Sequence, residues 1–253
     1  MNVRGFGIAI YALLFLDPAR AEDLVVALGA DRIAIRSNFN GAAVSVVGVV
    51  ERDAATAARA AAYDAVVTVR GPRGAVTVWR KERLGPMWLN LDQRKYIAIP
   101  AFISVLSNRR LDSIVQPGLR ARHRIGIESL LPEQSLARGA DAPEFREALQ
   151  RLRRSEGMFF ASDSAVRFIT PTVIQARVEI PGRAPLGEYN VDLALFADGA
   201  LLSRKEQSFI VTKAGVEQAF TIAAREMGLL YGLATSAFAL FFGWLASAVF
   251  RRD

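Results

Sequence analysis

The sequence predicts a mainly β protein with two immunoglobulin-like β-sandwich modules, a helical connecting segment and one C-terminal transmembrane helix. Three observations lead to this fold class. Short runs rich in valine and isoleucine recur between turn residues in both halves of the chain. A segment between the halves has a helical period instead. The stretch 228–250 contains no charged residue.

The first β-rich stretch, residues 22–125, is predicted to form one sandwich module. Its runs "DAVVTVRG" and "AVTVWRK" are short, β-branched and bounded by turn residues, as in antiparallel sandwiches. Between these runs, Gly71-Pro72-Arg73-Gly74 predicts a hairpin turn, because glycine and proline favour turn conformations.

Residues 126–157 are predicted to form the helical connector between the modules. Asp141 and Glu144 have the spacing of a capping box, in which each side chain satisfies a backbone amide of the other residue. Gly157 is placed to end the helix. The apolar residues of this segment recur at a helical period: Phe145, Ala148, Leu149 and Leu152.

A second immunoglobulin-like module is predicted over residues 158–213. In "VIQARVEIPG" apolar and polar residues alternate, which predicts a strand with one buried and one wet face. Asp198-Gly199 lies between two further β-rich runs and is typical of a two-residue hairpin loop. The cysteine pair and core tryptophan of antibody domains are missing from this stretch.

Both ends of the chain predict export and a membrane anchor. Residues 1–21 have the charged start, short apolar run and small-x-small site of a secretory signal peptide, the alternative being an uncleaved anchor. A juxtamembrane helix over 214–227 is expected to lead into a transmembrane helix over 228–250. The second helix is long enough to cross a hydrocarbon core of about 30 Å. Two arginines in the tail, 251–253, favour the cytoplasmic side.

Composition narrows the classes of function. The chain has no cysteine, which excludes disulfides, thiolate metal sites and a cysteine nucleophile and suits a bacterial periplasm. The net charge of +7 favours an anionic lipid, solute or acidic partner, and export excludes nucleic acid. We therefore expect a single-pass protein of the bacterial inner membrane, with a periplasmic N-terminal ectodomain and a cytoplasmic C-terminus.

Catalytic chemistry has no support in the sequence. His123 is the only histidine, so a histidine-based metal cluster cannot form. No P-loop, dinucleotide-binding fingerprint, calcium loop or nucleophile elbow is present. We expect a protein without catalytic residues, metal or cofactor.

One cluster of arginines is the most suggestive surface feature. Together with the arginine-rich face of the predicted helix, it is either solvated charge or a patch that binds phosphate, sulfate or sulfite oxygens or lipid headgroups. The cluster consists of Arg109, Arg110, Arg120, Arg122 and Arg124. A second candidate is aromatic: Trp88, Tyr96 and Phe102 form either an exposed contact surface or part of the core.

Small residues recur at three- and four-residue steps in the segment 228–250. Such a stripe lets another helix approach closely in a membrane, although small residues are also simply frequent there. The candidate packing positions are Gly228, Gly232, Ser236, Ala239, Gly243 and Ser247. The expected partners are the lipid bilayer and, through this stripe, either a multi-pass permease or a second copy.

Several stretches carry a family resemblance: the signal peptide, "VWRKERLGPMWLNLDQRKYIAIPAFISVLSNRRL", "PLGEYNVDLALFADGALL" and "GLLYGLATSAFALFFGWLASAVFRR". On these the chain resembles the alphaproteobacterial putative transmembrane protein family over essentially its whole length. The resemblance implies no activity, but it implies genomic proximity to sulfite-exporter permeases of the TauE/SafE type. The resemblance implies Arg-Pro-Leu at the position where this chain has Asn108-Arg109-Arg110-Leu111. This departure affects the expectation for the local turn and not the resemblance to the family.

Two functions are compatible with these features. The first is a non-enzymatic accessory or interaction subunit of a membrane transporter of the sulfite or anion exporter type. The alternative is a self-standing periplasmic binding module for an anionic ligand or an envelope component. The first requires the C-terminal helix and its small-residue stripe, whereas the second requires only the ectodomain.

Overall fold

The computed structural model describes residues 22–35, 41–52, 62–131, 143–213 and 228–250. Within these ranges the chain forms twelve β-strands and five α-helices. The strands are β1 (Glu22–Leu28), β2 (Arg32–Ile35), β3 (Gly41–Arg52), β4 (Asp64–Arg70), β5 (Arg73–Leu84), β6 (Met87–Pro100), β7 (Ile103–Ser107), β8 (Phe159–Ser162), β9 (Val166–Thr170), β10 (Val173–Pro181), β11 (Gly187–Ala197) and β12 (Ala200–Lys213). The helices are α1 (Leu111–Ile114), α2 (Pro117–His123), α3 (Ile127–Leu130), α4 (Pro143–Ser155) and α5 (Gly228–Phe250).

The strands form two sheets and one separate hairpin. A four-stranded antiparallel sheet has the order β1-β3-β10-β9. A six-stranded sheet has the order β2-β12-β11-β4-β7-β8, in which the two edge strands β2 and β8 pair in parallel with their neighbours. The third unit is the two-stranded hairpin β5-β6.

Each sheet contains strands from both halves of the chain, and in each sheet a strand of one half pairs directly with a strand of the other. β3 lies between β1 and β10, and β4 lies between β11 and β7. The prediction of two separate sandwich modules over 22–125 and 158–213 is therefore wrong. The physical reason is that β4 is buried on both faces and needs a neighbour at each edge, and one of these neighbours comes from the second half.

The two sheets pack face to face around one core. Gly48 of β3 faces Leu193 of β11, and a Cβ at Gly48 would lie 2.4 Å from Leu193 Cδ2. Because these residues belong to different sheets and different halves of the chain, the core between them is shared. The sheets approach closely here only because position 48 carries no side chain.

An aromatic cluster lies near the start of β11 in this core. The Tyr189 ring stacks on Phe209 with centroids 5.2 Å apart and lies 5.8 Å from Phe102. The Tyr189 hydroxyl donates a hydrogen bond of 2.7 Å to the Pro185 carbonyl, an arrangement that resembles the tyrosine corner of β-sandwiches. Burial raises the pKa of Tyr189, so the ring remains neutral in the folded protein.

Local signals in the second half are confirmed. Ile174, Ala176, Val178 and Ile180 are buried along β10 while the residues between them are exposed. The loop between β11 and β12 consists of Asp198 and Gly199, with φ of +51° and +81°. Positive φ at both loop residues is the pattern of a type I′ hairpin turn.

The predicted hairpin turn at residues 71–74 is wrong, because β4 and β5 do not pair with each other. Instead the Gly71 N–H donates to the Phe102 carbonyl and the Ala101 N–H to the Pro72 carbonyl. The β4–β7 pair thus continues directly into the β5–β6 hairpin as one ribbon. Gly71 serves close packing, since a Cβ there would lie 3.0 Å from atoms of Phe102 and of the Tyr189 ring.

The predicted amphipathic helix is confirmed as α4. Phe145 and Leu149 are buried, whereas Leu152 is 51% exposed although it fits the apolar period. Gly157 ends the helix with a φ of +73°, and the Met158 N–H donates to the Arg153 carbonyl at 2.9 Å, as in a Schellman motif. Helical structure also extends N-terminal to the predicted connector, through α1 and α2.

Helix α5 has the predicted bounds, Gly228–Phe250, and the side chains described along it are exposed. However, no helix formed by the described residues is long and apolar enough to cross a membrane. The prediction of a transmembrane helix over 228–250 is contradicted by this finding.

Several predictions fall outside the described residues. These are the signal peptide over 1–21, the capping residue Asp141, the juxtamembrane helix over 214–227 and the tail over 251–253.

The turn after β7, where the sequence departs from the expected family pattern, is fixed by Asp64. Arg109 donates from Nε at 2.6 Å and from Nη2 to the two carboxylate oxygens, and Asn108 Nδ2 donates to Asp64 at 3.0 Å. Asn108 also accepts a hydrogen bond from the Ala65 N–H. The Asp64 side chain is only 4% exposed, so its charge depends on these partners.

We expect Gly48→Val to destabilise the whole β-rich part of the chain by about 1–3 kcal/mol, because the new side chain overlaps Leu193. Gly74→Val is the control, since a Cβ at Gly74 has no atom within 4 Å, and its effect should stay within about 0.5 kcal/mol. Urea unfolding of the full chain should show one cooperative β transition that shifts only in the first variant. Separate transitions for the two halves would contradict the shared core.

Arg109→Ala should lower the free energy of unfolding by about 1–3 kcal/mol, because it leaves the buried Asp64 carboxylate with too few donors. Arg122→Ala removes the same charge from an exposed position on α2 that has no ion pair among the described residues, so it should be nearly neutral. Chemical denaturation of both variants measures the difference. Equal free energies of unfolding for the two variants would contradict a stabilising role of the hydrogen bonds from Arg109 to Asp64.

Candidate anion-binding cleft

A cleft of about 660 Å³ lies where the short helices α1, α2 and α3 meet α4. Its floor includes Val105 of β7 and Ala161, which belongs to the paired strand β8. One wall of the cleft is formed by the short helices and the other by α4. The six-stranded sheet positions both walls, because the short helices follow β7 directly and α4 precedes β8. The cleft is the place where chain segments far apart in sequence bring charged side chains together.

Four arginines line this cleft. Arg110 and Arg120 belong to the cluster predicted from the sequence, and Arg146 and Arg154 come from α4. The structure therefore joins part of the predicted cluster to the arginine-rich helix. The pairing could not be read from the sequence, because the two groups are more than twenty residues apart and the segment between them carries no signal for their approach.

The other three predicted arginines lie outside the cleft. Arg109 is bound to Asp64, and hydrogen bonding to that carboxylate raises the pKa of Arg109. Arg122 is exposed on α2. Arg124 ends α2 with a φ of +55°, and its N–H donates to the Ala121 carbonyl. Of the five predicted arginines, the cleft therefore contains only Arg110 and Arg120, and a patch formed by all five stays a prediction.

Asp112 organises the wall formed by the short helices. Its carboxylate lies 2.8 Å from Arg120 Nη1 and 3.8 Å from Arg110 Nη2. Arg120 Nε is buried and has no hydrogen-bond partner among the described residues. Arg120 therefore retains one unsatisfied donor in a side chain that lines the cleft.

The opposite wall carries two arginines without ion pairs in the described part of the chain, Arg146 and Arg154. They lie about two turns apart on α4, which corresponds to about 12 Å. Glu128 and Asp163 also line the cleft, so with Asp112 it holds three carboxylates against four guanidinium groups. The lining is therefore mixed in charge, with one more guanidinium group than carboxylates.

Other residues highlighted by the sequence have different surroundings. His123 is partly buried at the end of α2, where its carbonyl accepts a hydrogen bond of 2.9 Å from Arg204. No group of three or more histidine, cysteine or carboxylate side chains in the described ranges could hold a metal ion. Of the aromatic candidates, Tyr96 and Phe102 are buried in the core, whereas Trp88 is 66% exposed.

The predicted small-residue stripe lies on α5, at the positions Gly228, Gly232, Ser236, Ala239, Gly243 and Ser247. At the three glycines an added Cβ would meet nothing within 4 Å. This leaves space for a neighbouring helix but does not identify one. A partner for this stripe stays a prediction.

Comparison with known proteins places the chain in a family. A family model described as "Putative transmembrane protein (Alph_Pro_TM)" matches residues 23–252, nearly the whole chain. The comparison with curated proteins found no match. The family description refers to the membrane and names no activity, ligand or partner. The resemblance drawn from the sequence is confirmed: the chain belongs to the Alph_Pro_TM family of putative transmembrane proteins.

Proposed function

We propose that this protein is a membrane-associated, non-enzymatic binding protein whose cleft between the short helices and α4 receives an anionic ligand. Membership of a transmembrane protein family supports the membrane association. The observation that carries the binding function is the pair Arg146 and Arg154, which face one cleft without carboxylate partners among the described residues. Arginine suits this role because its planar fork binds oxyanions through two parallel hydrogen bonds.

The two walls of the cleft contribute differently. On one wall Asp112 already neutralises much of the charge of Arg120, so this side holds its geometry without a ligand. On the other wall Arg146 and Arg154 have donors available for an incoming oxyanion. We place the anionic group of the ligand next to Arg146 and Arg154 of α4. In this arrangement the carboxylates of Glu128 and Asp163 face neutral or cationic parts of the ligand.

A non-catalytic role agrees with the groups in the cleft. The hydroxyl group of Ser129 donates a hydrogen bond of 3.0 Å to the Ile125 carbonyl. Nucleophilic catalysis instead requires a hydroxyl bonded to a base, which is in turn oriented by a third group. We therefore propose binding, without turnover, as the function of the cleft.

A role as accessory subunit of an anion exporter is the second candidate. It is favoured by α5, which exposes large apolar side chains such as Leu240 and Phe242 and carries the small-residue stripe. Such a helix suits contact with apolar helices of a partner or with a second copy. In this proposal the β-rich part lies in the periplasm at the bacterial inner membrane and delivers or senses the anion there.

The binding function is tested with Arg146→Ala/Arg154→Ala in the full chain, purified in mild detergent. Sulfate, sulfite and phosphate are titrated by calorimetry at constant ionic strength, with chloride as the reference anion. We expect the wild type to bind at least one of these oxyanions, and the double variant to bind at least about 100-fold more weakly, since two lost charge-assisted hydrogen bonds remove about 3–6 kcal/mol.

The matched control is Arg122→Ala/Arg151→Ala, which removes two exposed arginines outside the cleft. Its affinity should equal that of the wild type. Equal losses in both double variants would show a general charge effect and contradict a specific site. Absence of binding to any of the three oxyanions in the wild type would also contradict the proposal.

A further inference from the structure

The β5–β6 hairpin extends well away from the sheets. Its twelve residues in β5 correspond to about 40 Å of strand. At its base Val78 and Tyr96 are buried, and Arg94 lies over the Phe145 ring of α4 at 4.9 Å. Because the hairpin continues the β4–β7 ribbon, its base is anchored in the core while its tip is free of packing.

The tip of the hairpin is apolar on both faces. Leu84 and Met87 are cross-strand partners on one face, each 59% exposed, and Leu89 follows on the same face. Trp88 pairs with Arg83 and therefore lies on the opposite face. A strand that docks on a protein surface needs only one apolar face, whereas a tip that enters an apolar medium needs both.

The backbone at the tip exposes few polar groups. The loop consists of Gly85 and Pro86, where Gly85 has a φ of +62° and Pro86 has no N–H to satisfy. The Arg83 Nε donates a hydrogen bond of 3.0 Å to the Gly85 carbonyl. Unpaired backbone groups are what make chain turns costly in hydrocarbon, so a turn with this carbonyl paired is suited to the bilayer interface, where the Arg83 guanidinium stays among polar headgroups.

Cations lie directly behind the tip on the Trp88 face. Lys81 and Arg83 of β5 share this face by their register. Neither residue forms an ion pair with another described residue. In contrast, Arg80 and Arg94 on the other face are paired with Glu82 and Asp92.

We propose that the hairpin tip, residues 84–89, inserts into the interface of a bilayer that contains anionic lipids, while Lys81 and Arg83 contact the headgroups. Tryptophan prefers this interface, and lysine and arginine are attracted to anionic lipids there. Insertion is shallow, about 5–10 Å, because the strand edges behind the tip still have unpaired backbone groups. This contact is independent of the anion-binding cleft.

The test uses tryptophan fluorescence, because the chain has only three tryptophans. Trp79→Phe/Trp244→Phe leaves Trp88 as the reporter, and Trp88→Phe/Trp244→Phe leaves Trp79. Trp79 lies on the same face about 13 Å farther from the tip. The full-length variants are mixed with phosphatidylcholine vesicles with or without phosphatidylglycerol, and each lipid mixture is prepared with and without brominated acyl chains.

We expect brominated chains to quench the Trp88 reporter about twofold in the anionic vesicles, and to leave the Trp79 reporter nearly unchanged, because only the tip reaches the acyl chains. Adding Leu84→Ser/Met87→Ser to the Trp88 reporter should abolish the quenching and leave the thermal unfolding midpoint unchanged. Lys81→Gln/Arg83→Gln should reduce the preference for anionic over neutral vesicles.

Three results would overturn the proposal. The first is an unquenched Trp88 in both kinds of vesicle. The second is equal quenching of Trp79 and Trp88, which would mean that the hairpin does not insert by its tip. The third is a Trp88 emission shift that depends on protein concentration without lipid, together with cross-linked dimers, which would assign the tip to a second copy of the chain.

Discussion

The position of β4 between β11 and β7 is the constraint on which the rest of the structure depends. A strand that is buried on both faces requires hydrogen-bonded neighbours at both edges and a covering layer on each face. β4 obtains one neighbour from each half of the chain, so neither half completes the sheet alone. β3 repeats the arrangement in the second sheet, and the close approach of Gly48 to Leu193 joins the two sheets through one core.

This arrangement also positions the two candidate functional surfaces. The paired strands β4 and β7 continue beyond the sheet as the β5–β6 hairpin. The base of the hairpin is therefore held by two strands in the interior of the six-stranded sheet. The chain that leaves β7 forms the short helices, and α4 returns to the sheet at β8 beside β7. The cleft and the hairpin are therefore consequences of one strand pairing, and both carry cationic side chains.

Local features were predictable from the sequence, and long-range partners were not. The alternation along β10 and the Asp198-Gly199 turn depend on neighbouring residues, so periodicity and turn chemistry suffice. The pairing of β4 with β11 joins strands that are more than a hundred residues apart, and residue spacing does not encode such a pairing. For the same reason the sequence places Arg109 in an anion patch, whereas in the structure it binds the distant Asp64. The sequence also does not indicate that Arg120 and Arg146 line the same cleft.

The pairing of β3 with β10 offers the most direct test, because the chain contains no cysteine and an introduced pair is unambiguous. Ser45 and Arg177 are exposed register partners on these strands, within the Cα separation that a disulfide requires. Mild oxidation of the full chain carrying Ser45→Cys/Arg177→Cys should give an intramolecular disulfide and a faster band on a non-reducing gel. Ser45→Cys/Arg167→Cys, with the second position one strand farther at about 10 Å, should remain reduced. Failure of the first pair to cross-link within one chain, with only intermolecular dimers or free thiols, would contradict a single sandwich built from both halves.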